Sequence, residues 1–285
     1  MTDPYAEARE RLDRFLQRDH ERVSDLGRSL VLDHGHRTVR SALLLHGLSA
    51  SPTQFSAVAH ELYERGYNVF APRLPRHGYS DRMSDALASL TADDLRSATR
   101  ESYRIACGLG ERAVVVGFSL GGLLALDLAA HEPVERVVAV APLLGIAFMP
   151  SVLGRFLTKL ALRRPNRFAW WDPFQRERQL PAHGYPRYAT HALARALSIA
   201  QELLAQARLR APDGGPIVLV SNSREAAVNN RAIRRLASRW QAHRADAVSL
   251  HEFTGLRPSH DIIEPLRDPE TARRVLPILL KLIDA

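Results

Sequence analysis

Ala113-Val114-Val115-Val116-Gly117-Phe118-Ser119-Leu120-Gly121-Gly122 reads as strand, sharp turn and helix. Four consecutive apolar residues, three of them β-branched, favour a buried parallel strand, and Leu123 to Ala130 carry a strongly helical composition straight after the glycines. Ser119 therefore falls in the turn. A side chain there is held off the end of a sheet in a strained backbone conformation, with small residues two positions before and after so that strand and helix can approach closely. This is the geometry of a nucleophile elbow.

The bare pattern Gly-x-Ser-x-Gly is weak evidence, and its context carries the weight. No lysine follows the glycines, so a phosphate-binding P-loop is excluded, and Gly117-x-Ser119 lacks the dinucleotide-binding spacing. To either side of the elbow the chain alternates strand and helix. Ser29–Leu32 and Ser41–Leu45 read as strands joined through a turn at His34-Gly35-His36, and the second ends in His46-Gly47-Leu48. A helix opens at Ser51-Pro52 and closes at Gly66. Asn68–Ala71 is the next strand, and it enters a loop at Pro72–Ser80 too rich in Pro and Gly for regular structure. Thr91 with Asp94 starts a long helix that ends near Gly108–Gly110. Val137–Val140 is a strand after the elbow helix. The alternation breaks over residues 145–210, a basic, helix-rich segment without a convincing strand, and resumes with Ile217–Val220, a helix over Asn230–His243, Val248–Phe253 and a last helix after Pro258. Such alternation demands a mostly parallel, doubly wound α/β sheet covered on both faces. The expected organisation is an N-terminal segment, 1–27, whose amphipathic helix packs on the core; a core formed by 28–144 and 211–285; and a helical cap insertion, 145–210.

The chain has 285 residues, 46% hydrophobic and 25% charged, enough for a sizeable core. One cysteine, Cys107, excludes an internal disulfide. Residues 1–24 lack an apolar run of signal-peptide length and no stretch approaches a membrane span, so a cytoplasmic location is expected. The net charge of +8 is unevenly placed: residues 145–210 hold eleven Lys plus Arg against Asp172, Glu177 and Glu202, and the remainder is neutral. Only Lys159 and Lys281 of the 39 basic residues are lysine, a bias that speaks for codon usage and against a selected nucleic-acid surface. No nucleic-acid partner is expected.

A serine hydroxyl is a poor nucleophile at neutral pH and needs a base, with a carboxylate to orient it. In a doubly wound sheet all three come from loops at the carboxyl ends of strands. His260, in Gly255-Leu256-Arg257-Pro258-Ser259-His260-Asp261, follows the last strand. Glu225 follows the strand that ends at Val220. Asp246 precedes the final strand and belongs at the opposite end of the sheet, and Asp261 is expected to point away along the starting helix. His46 and His77 stand beside glycines and read as loop-shaping residues. His34, His36, His183, His191 and His251 lack metal-ligand spacing, and no metal is expected.

With His46-Gly47-Leu48, Arg73-Leu74-Pro75-Arg76-His77-Gly78, Gly117-Phe118-Ser119-Leu120-Gly121-Gly122 and Ser259-His260-Asp261 in view, residues 28–284 resemble the α/β-hydrolase superfamily. The resemblance lies in its carboxylesterase and monoacylglycerol-lipase-like branch, of serine aminopeptidase S33 type. It implies Ser119 as nucleophile, His260 as general base, and an oxyanion hole from the backbone N–H groups of Leu48 and Leu120. At the acid the family's Gly-x-x-Asp-x-x-Val is altered: Asn222 takes the Gly position, Glu225 the Asp position, and Val228 is in place. A longer acid needs a slightly displaced backbone. The implied activity is hydrolysis of a small or medium acyl ester through an acyl-enzyme, without a cofactor. An amide or thioester substrate on the same residues, or a silent ligand-binding protein of the same fold, is the alternative.

The insertion is expected to sit over Ser119, with Phe148, Phe156, Trp170 and Trp171 lining a substrate pocket. Val152, Leu153, Phe156, Leu157 and Leu160 take one helical side and Arg155, Lys159 and Arg163 the other. That pattern suits a cap packed on the core with a solvated basic face, and it also suits weak contact with an anionic membrane surface.

Overall fold

A computed structural model of the chain describes residues 3–20, 22–174 and 182–285, and the side chains of all of these except Ser151 and Val152. Glu177 of the insertion and the Val152 side chain thus lie outside the described residues.

Nine strands are described: β1 (Leu30–Leu32), β2 (Thr38–Leu45), β3 (Tyr67–Ala71), β4 (Gly110–Phe118), β5 (Arg136–Val140), β6 (Phe168–Trp170), β7 (Arg187–Ala189), β8 (Ile217–Asn222) and β9 (Val248–Phe253). Seven of them form the central sheet in the order β1-β3-β2-β4-β5-β8-β9, all neighbours parallel except β1 against β3. The order corrects one expectation. β1 and β2 do not form a hairpin, because β3 is inserted between them and takes β1 in antiparallel register, Val31 opposite Phe70. Leu43, Leu44, Val115, Val116, Val138 and Ala139 are wholly buried, as uninterrupted apolar runs are when both faces of a parallel sheet are covered.

The helices are α1 (Pro4–Leu16), α2 (Ser56–Glu64), α3 (Ala92–Leu109), α4 (Leu120–Ala129), α5 (Ser151–Arg163), α6 (Thr190–Gln206), α7 (Asn230–His243) and α8 (Pro269–Asp284). α3 and α4 pack on one face of the sheet, α2 and α8 meet elsewhere on it, and α7 lies on β8 and β9. α1 rests on α3, and Phe15 meets the Phe70 ring edge to face at 5.3 Å. The start of α3 carries the expected capping box: Thr91 Oγ1 accepts from Asp94 N, and the Asp94 carboxylate accepts from Thr91 N.

Progress across the sheet reverses at β2, because the next two strands in sequence, β3 and β4, pair on opposite sides of it. Loops leaving β2 and β4 diverge there and leave a crevice at the carboxyl end of the sheet. Two further expectations are corrected. The insertion is not purely helical, since β6 and β7 pair antiparallel, strands of three residues that are too short to register as a periodicity. No helix follows Pro258 directly: the chain stays irregular through Arg267, and α8 begins only where the Asp268 carboxylate accepts from Thr271 N.

Candidate active site

At the end of β4 the backbone turns sharply, and Ser119 takes φ 53° and ψ −111°, a conformation rare for a residue with a Cβ. Crowding forces the small residues around it. A Cβ on Gly121 would lie 1.8 Å from the Leu45 carbonyl oxygen, and one on Gly117 would lie 2.1 Å from that of Gly121. Strand and helix therefore touch backbone to backbone, and the serine is left projecting over the crevice.

Ser119 Oγ lies 2.8 Å from His260 Nε2, and His260 Nδ1 lies 3.0 Å from Glu225 Oε2. These residues come from the loops after β4, β9 and β8. Glu225 is enclosed, with no side-chain exposure, whereas His260 is about a quarter exposed. The other carboxylate oxygen of Glu225 accepts from Ala227 N at 2.7 Å and Val228 N at 3.4 Å. Burial alone would raise the Glu225 pKa, but the hydrogen bond and charge of His260, with those two amides, outweigh it and hold the carboxyl below its ordinary value. Phe118 covers the imidazole, ring centroids 4.9 Å apart.

Asn222, where the resembling family has glycine, is wholly buried and fastens the acid loop to the base loop. Its Nδ2 donates to the carbonyls of Arg257 and Ser259, and its Oδ1 accepts from Arg224 N. Asp261 faces away from the imidazole by a different route from the one expected. Its Oδ2 accepts from Gln54 Nε2 at 2.6 Å and its Oδ1 from the amides of Ile263 and Glu264. Asp246 is exposed beside Arg244 at the start of β9, remote from the crevice.

Leu48 and Leu120 are buried and flank Ser119, Leu48 in the loop after β2 and Leu120 as first residue of α4. The Leu48 loop is held by side chains. Gly47 N donates to Gln54 Oε1, and His46 Nε2 accepts from Leu74 N, which leaves the proton on Nδ1 to donate to the Gly47 carbonyl. Burial, reinforced by His77 nearby, drives the His46 pKa well below its ordinary value, so the ring is neutral. His77 is likewise buried, and its pKa is lowered to about 4. Both rings shape loops.

A cavity of about 700 Å³ opens over Ser119 and His260. Leu48, Phe118, Leu143 and Val228 line it from the core, and Ile146, Trp171, Tyr185, Tyr188 and Leu193 from the insertion. Of the four aromatic residues expected in the pocket, only Trp171 lines it, packed on Tyr188. Phe148 and Phe156 are 92% and 63% exposed, and Trp170 is half-buried in β6 outside the cavity. The correction has a physical reason: α5 packs against α6, and its large residues Leu153, Phe156 and Leu157 face outward.

The insertion is fastened to the Leu48 loop. Tyr185 N donates to the Ser49 carbonyl at 2.7 Å and Trp171 Nε1 to Ser49 Oγ at 2.6 Å. A second serine, histidine and glutamate lie nearby: Ser51 Oγ is 3.0 Å from His183 Nδ1, and His183 Nε2 is 2.5 Å from Glu264 Oε1. Ser51 Oγ also donates to the Leu26 carbonyl, so its hydroxyl proton is committed there and not to His183, and it is no nucleophile in waiting. With Ser51 wholly buried and absent from the cavity wall, this cluster is a tether between the insertion and the two loops. Tyr185, His183 and Glu264 stand in irregular segments and Gln54 in a single 3-10 turn, Pro52–Phe55, where no spacing marks them. Among the described residues, no group of three His, Cys, Asp or Glu is placed to hold a metal, and no helix is long and apolar enough to cross a membrane.

A sequence model of the alpha/beta hydrolase family matches residues 42–270. Among curated proteins, the magnesium-chelatase 30 kDa subunit of Rhodobacter capsulatus is 35% identical over 39% of this chain and 37% of its own length. A thermostable monoacylglycerol lipase of Bacillus sp. (strain H-257) is 30% identical over 39% of this chain and 42% of its own. The match thus spans about two fifths of the length of these relatives. Among solved structures, the monoacylglycerol lipase of Paleococcus ferrophilus superposes with a TM-score of 0.70 at 19% identity, covering 90% of this chain and 98% of that one.

Proposed function

Because this chain belongs to the alpha/beta hydrolase family, we propose that it is a serine hydrolase that cleaves a small or medium acyl ester through an acyl-enzyme. One observation carries the reading: an unbroken chain of hydrogen bonds runs from Ser119 through His260 to Glu225, with the serine on a strained elbow facing a cavity. Ser119 Oγ attacks the ester carbonyl while His260 Nε2 takes its proton. The same proton then passes to the leaving alcohol. Glu225 holds Nδ1–H and stabilises the imidazolium, and the amides of Leu48 and Leu120 receive the oxyanion, each such donor being worth about 3 kcal/mol. Water repeats the sequence on the acyl-enzyme and releases the acid. The largely apolar walls suit an acyl chain, in keeping with the acylglycerol substrate that the name of the Bacillus relative carries.

The test is intact-mass analysis after a fluorophosphonate probe, followed by nitrophenyl esters of graded chain length. One adduct mapped to Ser119, with turnover greatest at short to medium chains, is the expected result. A folded protein that stays unmodified where a control esterase is labelled would instead make it a ligand-binding member of the fold.

The outward residues Phe148, Leu153 and Phe156, beside Arg155, Lys159 and Arg163, support contact of this face with an anionic lipid surface. Sedimentation with anionic vesicles is expected to be strong at low salt and to fall as screening rises. Absence of binding at every salt concentration would leave α5 a plain wall.

A further inference from the structure

A second concavity, about 290 Å³, lies between α5, α6 and α7. Its floor is apolar, formed by Leu144, Ile146, Met149, Leu197 and Leu204. Its rim carries four guanidinium groups: Arg155 from α5, Arg208 just past α6, and Arg235 and Arg239 from α7. No Asp or Glu stands among the described lining residues. Arg239 donates to the Leu204 carbonyl across the groove, and burial together with the charges of Arg208 and Arg235 lowers its pKa. Like charges gathered over an apolar floor repel, and a bound anion relieves that repulsion.

We propose that this groove binds a medium-chain fatty acid as its carboxylate, the alkyl chain on the Leu144–Leu204 floor and the head group among the arginines. Guanidinium forks match a planar carboxylate in two parallel hydrogen bonds. At roughly 30 Å³ for a group the size of a water, the space holds about ten methylene-sized units, one chain and not two. The groove also borders the reaction. Ile146 lines both cavities, and the strip from Gly145 to Ala147 that divides them is hydrogen-bonded to Ala227 and Asn229, with Ile146 opposite Val228, at the end of the loop that bears Glu225. That the occupant is also the product class of the neighbouring site rests on the ester-hydrolase reading, whereas the binding itself does not.

The experiment is calorimetric titration of the full chain with decanoate at pH 8 and low salt, before and after a small phosphonate has capped Ser119. One-to-one binding that survives the cap is expected, at least tenfold weaker for decanol or acetate and weaker again at high salt. The double substitution Arg208→Glu, Arg235→Glu, and separately Ala205→Trp, which fills the groove, should each reduce affinity more than tenfold in protein that melts normally. Equal binding of decanol, indifference to the arginine reversal, or loss of binding on capping would overturn the proposal. Should Ser119 refuse the phosphonate, Leu193→Trp blocks the catalytic cavity in its place, so that failure of the hydrolase reading and failure of the groove remain separate results.

Discussion

Glu225 is the carboxylate on which the proposed chemistry turns. It reaches Nδ1 of His260, whereas Asp261 is committed to Gln54 and to two amides, and Asp246 to solvent. Glu225→Gln is expected to lower kcat for a nitrophenyl ester by about 10⁴ with little change in melting temperature, and Asp246→Asn to leave both near wild type. Equal loss in the two variants would remove Glu225 from the role. Its lowered pKa also has a direction. The pair's contribution to stability is complete above the ordinary carboxyl value of 4.5 and is lost as pH falls through the lower folded value, so Glu225 stays ionised through the neutral range. Asn222 explains why the acid position departs from the resembling family. With its side chain used to bind the carbonyls of Arg257 and Ser259, the loop gains a link that a glycine cannot make.

Elements with a strong local signal were legible in the sequence: the apolar run of β4, the glycines of the elbow, the capping box of α3 and the serine, acid, histidine order. What the chain does not announce are pairings made at a distance. Nothing in Ser29–Leu32 says that it will seek β3 and not its sequence neighbour, and three-residue strands such as β6 and β7 exist only because each meets the other. Gln54, His183 and Tyr185 were illegible for the same reason, since their partners lie far along the chain. The elbow yields a sharp prediction. Gly121→Ala places a Cβ 1.8 Å from the Leu45 carbonyl, and because backbone cannot yield as a side chain does, a loss of at least ~3 kcal/mol or failure to accumulate folded protein is expected. A melting curve like that of wild type would show that the close approach is not obligatory. The loop after β3 supplies another. His77 binds no proton in the folded state until about pH 4, while the unfolded chain takes one up near 6.5. Stability contributed by its burial is therefore full above 6.5 and drains away between 6.5 and about 4, ~3 kcal/mol in all. Denaturant titrations across that interval should show a decline that His77→Gln flattens.

At the scale of the whole molecule, the sheet gathers side chains from distant parts of the chain at one end, and the insertion is sewn to that end by Ser49, Ser51 and Glu264. Of the basic residues that the composition places in 145–210, Arg155, Lys159 and Arg163 stand on the outward face of α5, and Arg155 and Arg208 on the rim of the groove, to which α7 adds Arg235 and Arg239. Charge in this chain is thus local architecture more than a global property. The spacing of the reacting groups has a further meaning in time. Ser119 and His260, its proposed base, are 141 residues apart, with the whole insertion between them. Synthesis proceeds at about 5–20 residues/s, so a nascent chain carries its serine for on the order of ten seconds before its histidine exists. The early half of the sheet, with the elbow and the Leu48 loop, can collapse during that interval, but without β8 and β9 it has no means of removing the hydroxyl proton. On the proposed chemistry, a newborn molecule is inert toward acyl esters until its last strand has docked, and reactivity arrives with completion of the fold.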